Sequence, residues 1–243
     1  MPETLVLLHG FSGTRHAWDG VIARLDRERY LPLALDLPGH GEAADAALAG
    51  EPVTFDACVA AVLAAAPARF ALCGYSLGGR VALHVALAAP QRVSRLVLVS
   101  CSPGIADDAE RAARRAADRD LAGELERIPF EQFIERWRTQ PLFAEDPPGV
   151  GERAREDQRR NDPRALAAVM RGIGAGEMAP LWGRLHELTM PATFVAGERD
   201  AKFRAIGERV VASLPDAELV VVPGGHALAL ENPAALVAAI EDD

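Results

Sequence analysis

The chain alternates between two kinds of segment. Short apolar runs at residues 5–8, 31–35, 70–73, 96–100, 193–196 and 219–222 are separated by helical patterns near 17–26, 55–65, 77–89, 203–213 and 233–241. Alternation of this kind builds a mainly parallel sheet with helices on both faces. Asn232 followed by Pro233 fits a helix start, with a capping side chain and then proline in the first turn. One stretch breaks the pattern. Residues 102–188 contain no strand-like run and are rich in Arg, Glu and Ala. They are read as a helical insertion that divides the core into residues 1–101 and 189–243. An insertion at the carboxyl edge of a parallel sheet tends to cover the site as a cap.

At 243 residues the chain is long enough for one α/β domain with such an insertion. Its net charge of −9 argues against nucleic acid and against an anionic membrane surface as partners. An anionic substrate would therefore need positive charge gathered locally. The three cysteines, Cys58, Cys73 and Cys101, lie in or beside apolar stretches and form no disulfide or zinc pattern. Met1-Pro2-Glu3-Thr4 runs straight into an apolar strand. No signal peptide or membrane span is read there, and a reducing cytoplasm is the expected location.

Gly74-Tyr75-Ser76-Leu77-Gly78-Gly79 falls between a strand and a helix. This is a G-x-S-x-G nucleophile elbow, in which small residues two before and two after the serine let strand and helix approach. The same letters in a plain glycine turn would mean little; the flanking strand and helix give them weight. With the alternation, they place the chain in the α/β-hydrolase fold. His9-Gly10-Phe11-Ser12-Gly13 follows the first strand, where this fold supplies one backbone donor of an oxyanion hole. Phe11 N–H and Leu77 N–H are the expected pair.

The acid and the histidine should follow the serine in that order. Asp200, in Gly197-Glu198-Arg199-Asp200, is the best-placed acid, and Glu198, nearer the strand end, is its rival. His226 follows the last strand behind two glycines. His9 and His40 lie in turns where a structural hydrogen bond is expected. His84 lies within a helix, His186 in the connection back to the core, and His16 just past the oxyanion loop.

Arg80 falls in the first turn of the helix after Ser76. A cation there opposes the helix dipole by a few tenths of a kcal/mol or more. A surface ion pair is one explanation. The other is that arginine and helix end together make a carboxylate or phosphate site. Arg111, Arg114, Arg115 and Arg119 share one helical stretch of the insertion with Asp107, Asp108, Glu110 and Asp118. Most should be paired or solvated, and periodicity does not say which face the site.

These residues resemble one family, 2-succinyl-6-hydroxy-2,4-cyclohexadiene-1-carboxylate synthase, a lyase of menaquinone biosynthesis. The resemblance runs through G-Y-S-L-G-G-R at 74–80, L-H-G-F-S-G-T at 8–14, and Trp137 followed by Q-P-L-F at 140–143. It continues in G-I-G-A-G ahead of Pro180-Leu181-Trp182, G-E-R-D-A-K-F at 197–203 and G-H-A-L-A-L-E-N-P at 225–233. The elbow and H-G motifs are shared by the whole superfamily, whereas Arg80 and the cap motifs are specific. The resemblance implies a Ser76, Asp200, His226 triad, with Tyr75, Arg80, Arg114 and Trp137 lining the substrate site. It also implies a second cap arginine near 159–160, assigned to Arg160. Trp137 could instead be a cap-packing residue. The N-terminal hairpin of relatives is expected to be missing or cut short.

The implied reaction is elimination of pyruvate from an anionic cyclohexene carboxylate, without metal or organic cofactor. The triad would remove a proton rather than form an acyl-enzyme. Two other readings share these residues: a serine hydrolase of esters, thioesters or C–C bonds, and a non-enzymatic ligand-binding member of the fold.

Overall fold

The computed structural model describes residues 1–242. Strands β1 (Glu3–Leu8), β2 (Tyr30–Leu35), β3 (Phe70–Tyr75), β4 (Val93–Val99), β5 (Ala192–Gly197) and β6 (Ala217–Val222) form one sheet. Their order is β2-β1-β3-β4-β5-β6, and every neighbouring pair is parallel. The longer helices are α1 (Phe55–Ala65), α2 (Leu77–Ala88), α3 (Asp108–Arg127), α4 (Phe130–Arg138), α5 (Pro148–Gln158), α6 (Pro163–Ile173), α7 (Ala201–Val211) and α8 (Pro233–Glu241).

Parallel pairing requires a crossover after each strand, so all carboxyl ends open on one edge. The chain winds from β1 outward to β2, then returns past β1 to β3 and continues the other way. The loops after β1 and β3 therefore diverge at the switch point, where such sheets leave a crevice. The oxyanion loop and the serine elbow are those two loops.

Strand side chains sort by alternation. Val6, Leu8, Leu72, Leu96 and Leu98 join the core on one face, while Leu5, Leu7, Cys73, Val97 and Val99 join the core on the other. Both faces are dry, which is why the strands read as unbroken apolar runs. A third cluster, including Leu125, Phe133, Leu166 and Met170, holds the cap together. The cap, helices α3 to α6, is inserted after β4. All three cysteines are buried and unbridged.

The helix expected over 17–26 is shorter. A 3₁₀ turn at Arg15–Trp18 leads into a helix that ends at Ile22. The helix ends where Arg24 N–H bonds three residues back to the Val21 carbonyl at 2.9 Å; Asp26 then starts a separate turn, its carboxylate accepting from Glu28 N–H at 2.8 Å and its carbonyl from Tyr30 N–H at 2.9 Å.

Candidate active site

Ser76 follows β3 and caps α2 with φ 52° and ψ −107°, a conformation that costs a non-glycine residue of order 1–3 kcal/mol. Its neighbours permit it. A Cβ on Gly74 would lie 2.4 Å from the Gly78 carbonyl oxygen, and one on Gly78 would lie 2.2 Å from that of Leu8. The elbow is thus pressed against β1, and Gly78→Ala should cost about 3 kcal/mol or more in stability. Urea denaturation would measure this; an unchanged midpoint would mean that the contact is slack.

β5 and the loop after β6 meet in the same manner. A Cβ on Gly197 would lie 2.3 Å from the Gly225 carbonyl oxygen. That approach brings Asp200, the cap of α7, to His226. Asp200 Oδ2 lies 2.7 Å from His226 Nδ1, and its Oδ1 accepts from Phe203 N–H at 3.3 Å. His226 Nε2 lies 3.3 Å from Ser76 Oγ. Asp200 and His226 are 6% and 2% exposed, whereas Glu198 points to solvent. With Nδ1–H donating to the carboxylate, Nε2 is left to accept the serine proton. Glu231 steadies this loop, accepting from Gly225 N–H at 2.7 Å and from Arg199 at 2.5 Å.

His9 supports the opposite wall. Leu37 N–H donates to its Nε2 at 3.0 Å, and its Nδ1–H donates to the Gly10 carbonyl at 2.8 Å. Burial lowers its pKa to about 4, so it stays neutral and keeps both bonds. His40 packs edge-on against His9 and Phe11. His84 Nδ1–H donates to the Arg80 carbonyl, and exposed His16 pairs with Asp19. Neither Phe11 N–H nor Leu77 N–H has an intramolecular acceptor among the described residues.

A cavity of about 1110 Å³ opens above Ser76 and His226, walled by Tyr75, Arg80, Arg114, Trp137 and Phe143. Arg80 is half-buried, and among the described residues no carboxylate lies within ion-pair distance of it. Burial and then the charge of Arg114 lower its pKa to about 10, so it remains a cation at neutral pH.

The Alpha/beta hydrolase family model matches residues 5–240. A protein of Enterobacter sp. (strain 638) named 2-succinyl-6-hydroxy-2,4-cyclohexadiene-1-carboxylate synthase is 34% identical over 97% of this chain and 89% of its own. A Bacillus subtilis (strain 168) protein named provisionally for that synthase is 36% identical over 95% of this chain and 86% of its own. The solved structure of MenH from S. aureus superposes with TM-score 0.89 at 31% identity, covering 98% of this chain and 91% of that one. The chain belongs to this synthase family. The enol-lactonase from Burkholderia xenovorans LB400, at 20% identity and TM-score 0.80, shares the fold alone.

Of the five substrate-site residues that resemblance to the synthase family implies, four line the cavity. Tyr75 lies against His226, ring centroids 5.2 Å apart, and burial raises its pKa. Arg80 donates to the Ile173 carbonyl at 2.8 Å. Its cation opposes the dipole of α2 but meets the carbonyl end of α6, and the second contact offsets the first. Arg114 lines the cavity while its Nε donates to Asp118 at 2.7 Å. Asp118 is buried and accepts from Gly176 N–H as well, which fixes the arginine's stem side.

Trp137 faces the cavity and also packs on Phe11 at 5.0 Å and Phe133 at 6.0 Å. Trp137→Phe should remove part, not all, of any product-dependent fluorescence quenching, because Trp182 also lines the cavity. Titration with product would check this; unchanged quenching would place Trp137 away from bound ligand.

Arg160 is not at the site. It follows the end of α5 with an exposed side chain, 3.8 Å from Asp157, and does not line the cavity. Arg159 beside it is exposed and pairs with Glu131. Past the end of α5, Arg159 and Arg160 face solvent, whereas Asp157 and Gln158 at the end of the helix and Asn161 in the turn after it are buried. Arg160→Ala should leave kcat/KM for pyruvate release within about twofold, since exposed pairs contribute little. A tenfold loss would return Arg160 to the site.

Further charged residues lie in or beside the cavity wall. Arg138 and Asp146 form a buried ion pair beside Phe143, with side chains 8% and 4% exposed. Burial raises the Asp146 pKa against the opposing pull of Arg138. Arg209 stacks on Trp182 at 4.3 Å, and Arg199 and Lys202 complete the mouth. Among the described residues, no cluster of His, Cys, Asp or Glu is arranged to hold a metal ion, and no helix is long and apolar enough to cross a membrane.

Proposed function

We propose that this protein eliminates pyruvate from 2-succinyl-5-enolpyruvyl-6-hydroxy-3-cyclohexene-1-carboxylate, giving 2-succinyl-6-hydroxy-2,4-cyclohexadiene-1-carboxylate in menaquinone biosynthesis. The observation that carries this reading is Arg80: a cation in the cavity wall with no protein counter-ion, beside a Ser-His-Asp chain. Retaining an unpaired charge in a low-dielectric wall is costly, and an anionic ligand offsets that cost. A hydrolase for neutral esters gains nothing from it. The Enterobacter relative carries the name of this synthase over nearly its whole length.

The chemistry follows from the two ring systems. The proton at C2 is acidified by the succinyl carbonyl. Ser76, activated by His226 and Asp200, removes it. The electron pair forms C2=C3, the ring double bond moves to C4=C5, and the C5–O bond breaks. The group leaves as the enolate of pyruvate, which takes up a proton on its methylene carbon to give pyruvate. Negative charge grows on the succinyl oxygen as C2–H breaks, and in this reading Phe11 N–H and Leu77 N–H are the donors that stabilise it. Arg80 and Arg114 hold carboxylates, and Trp137 and Tyr75 wall the ring. The substrate is small and anionic, and the reading needs no cofactor.

The same serine could instead attack a carbonyl, and intact-mass spectrometry separates the two roles. Enzyme quenched during turnover should show no adduct on Ser76. An adduct that builds and decays at the turnover rate would replace proton abstraction by covalent catalysis.

A further inference from the structure

Among the described residues, three side chains from the end of the cap helix α5 and the turn after it grip the loop that carries Phe11. Gln158 Nε2 donates to Ser12 Oγ at 2.8 Å, and Asn161 Nδ2 donates to the Ser12 carbonyl at 2.9 Å. Asp157 Oδ2 accepts from Thr14 N–H at 2.9 Å, and its Oδ1 accepts from Thr14 Oγ1. Asn161 Oδ1 accepts from Gly41 N–H at 3.0 Å, tying in the loop after β2. Ser12, Thr14, Asp157, Gln158 and Asn161 are each 7% exposed or less.

The grip has a local consequence. Ser12 holds φ 60°, a left-handed conformation that a serine seldom adopts unaided. Two amides of the cap bond this residue, one on the side chain and one on the carbonyl. Phe11 precedes it, and Gly10 before that is pressed against Tyr75, where a Cβ would lie 2.7 Å from the ring. The Phe11 peptide is thus fixed between the core on one side and the cap on the other. Leu77 N–H, by contrast, is set by the elbow alone.

We infer that Asp157, Gln158 and Asn161 are positioning residues that aim the Phe11 N–H, so that one oxyanion donor is set by the core and the other is completed by the seated cap. The inference rests on Phe11 N–H acting as an oxyanion donor, as argued under the proposed function. The donor is worth about 10²–10³ in rate where such groups have been removed, and a shift of about 1 Å can cost about 10²-fold. Cap seating then controls the chemical step as well as access.

The test uses phenylboronic acid, whose tetrahedral adduct on Ser76 places an oxygen in the hole, together with pyruvate release. Asn161→Ala and Gln158→Ala should each weaken boronate affinity and lower kcat by about tenfold or more, with KM within about twofold. Asp157→Asn, which keeps one acceptor, should lose less than Asp157→Ala. Arg159→Ala, on the same turn but facing solvent, should change neither reading. A merely loosened fold would lower Tm and raise KM together. Gln158→Ala removes a single bond and carries the test if Asn161→Ala does not fold. Folded Gln158→Ala and Asn161→Ala enzymes with wild-type boronate affinity and kcat would overturn the inference. Boronate loss in the variants, beside a wild type that releases no pyruvate, would sustain it while removing the lyase reading.

Discussion

Ser76→Ala is expected to lower kcat/KM for pyruvate release by about 10²–10⁴-fold, the range for loss of a positioned general base. KM should move little, because Arg80, Arg114 and Trp137 line the cavity independently of the serine. His226→Ala should fall in the same range, and Ser76→Ala/His226→Ala should be no worse than the worse single variant, because the pair acts as one unit. The size of the loss is informative. A covalent nucleophile removed from a Ser-His-Asp triad can cost about 10⁶-fold. A loss that large would point to acyl transfer. A loss below tenfold in both variants would remove the triad from the chemistry altogether. Steady-state kinetics on the three variants, with circular dichroism to confirm folding, decides among these.

The second large effect belongs to Arg80. Arg80→Ala should cost roughly 2–4 kcal/mol of transition-state stabilisation, or about 30-fold to nearly 1000-fold in kcat/KM. Arg80→Lys should recover only part, since lysine cannot make a two-pronged contact with a carboxylate. Turnover of a small neutral ester, where measurable, should change little. The bond to the Ile173 carbonyl adds a stability effect of about 1 kcal/mol, because its loss leaves the end of α6 without that donor. Equal losses on anionic and neutral substrates would mean that Arg80 serves only to join α2 to the cap, and the carboxylate argument would fall.

Much of this was legible in the sequence, for identifiable reasons. The four inner strands, β1, β3, β4 and β5, are mostly buried and leave unbroken apolar runs, and the half-buried edge strands β2 and β6 are apolar enough to read the same way, so all six are visible within a few residues at their ends. The elbow is legible because its glycines answer to backbone contacts such as Gly78 against Leu8. Ser76, Asp200 and His226 each end a strand or begin the element after it, and strand order alone brings them together. Arg80 stood out because it contradicts a local rule.

The cap was less legible. Helical periodicity gives a face, but the face that matters depends on how α3 to α6 sit over the sheet. Arg160 was assigned to the site from resemblance, yet the turn after α5 points it to solvent. The bonds from Asp157, Gln158 and Asn161 span 143 to 149 residues to Ser12 and Thr14, and no local pattern encodes them. No local pattern marks Arg138 and Asp146, whose burial as an ion pair beside Phe143 comes from the fold. The helix at 17–26 was overextended because the chain leaves the helix before Asp26, which starts a separate turn.

The most direct measurement is incubation of the purified protein with 2-succinyl-5-enolpyruvyl-6-hydroxy-3-cyclohexene-1-carboxylate, with pyruvate and diene absorbance followed together. Both should appear in equal amounts and at equal rates, and Ser76→Ala and Arg80→Ala should slow them in parallel. Loss of substrate without diene, or product formation at the uncatalysed rate, would contradict the lyase reading.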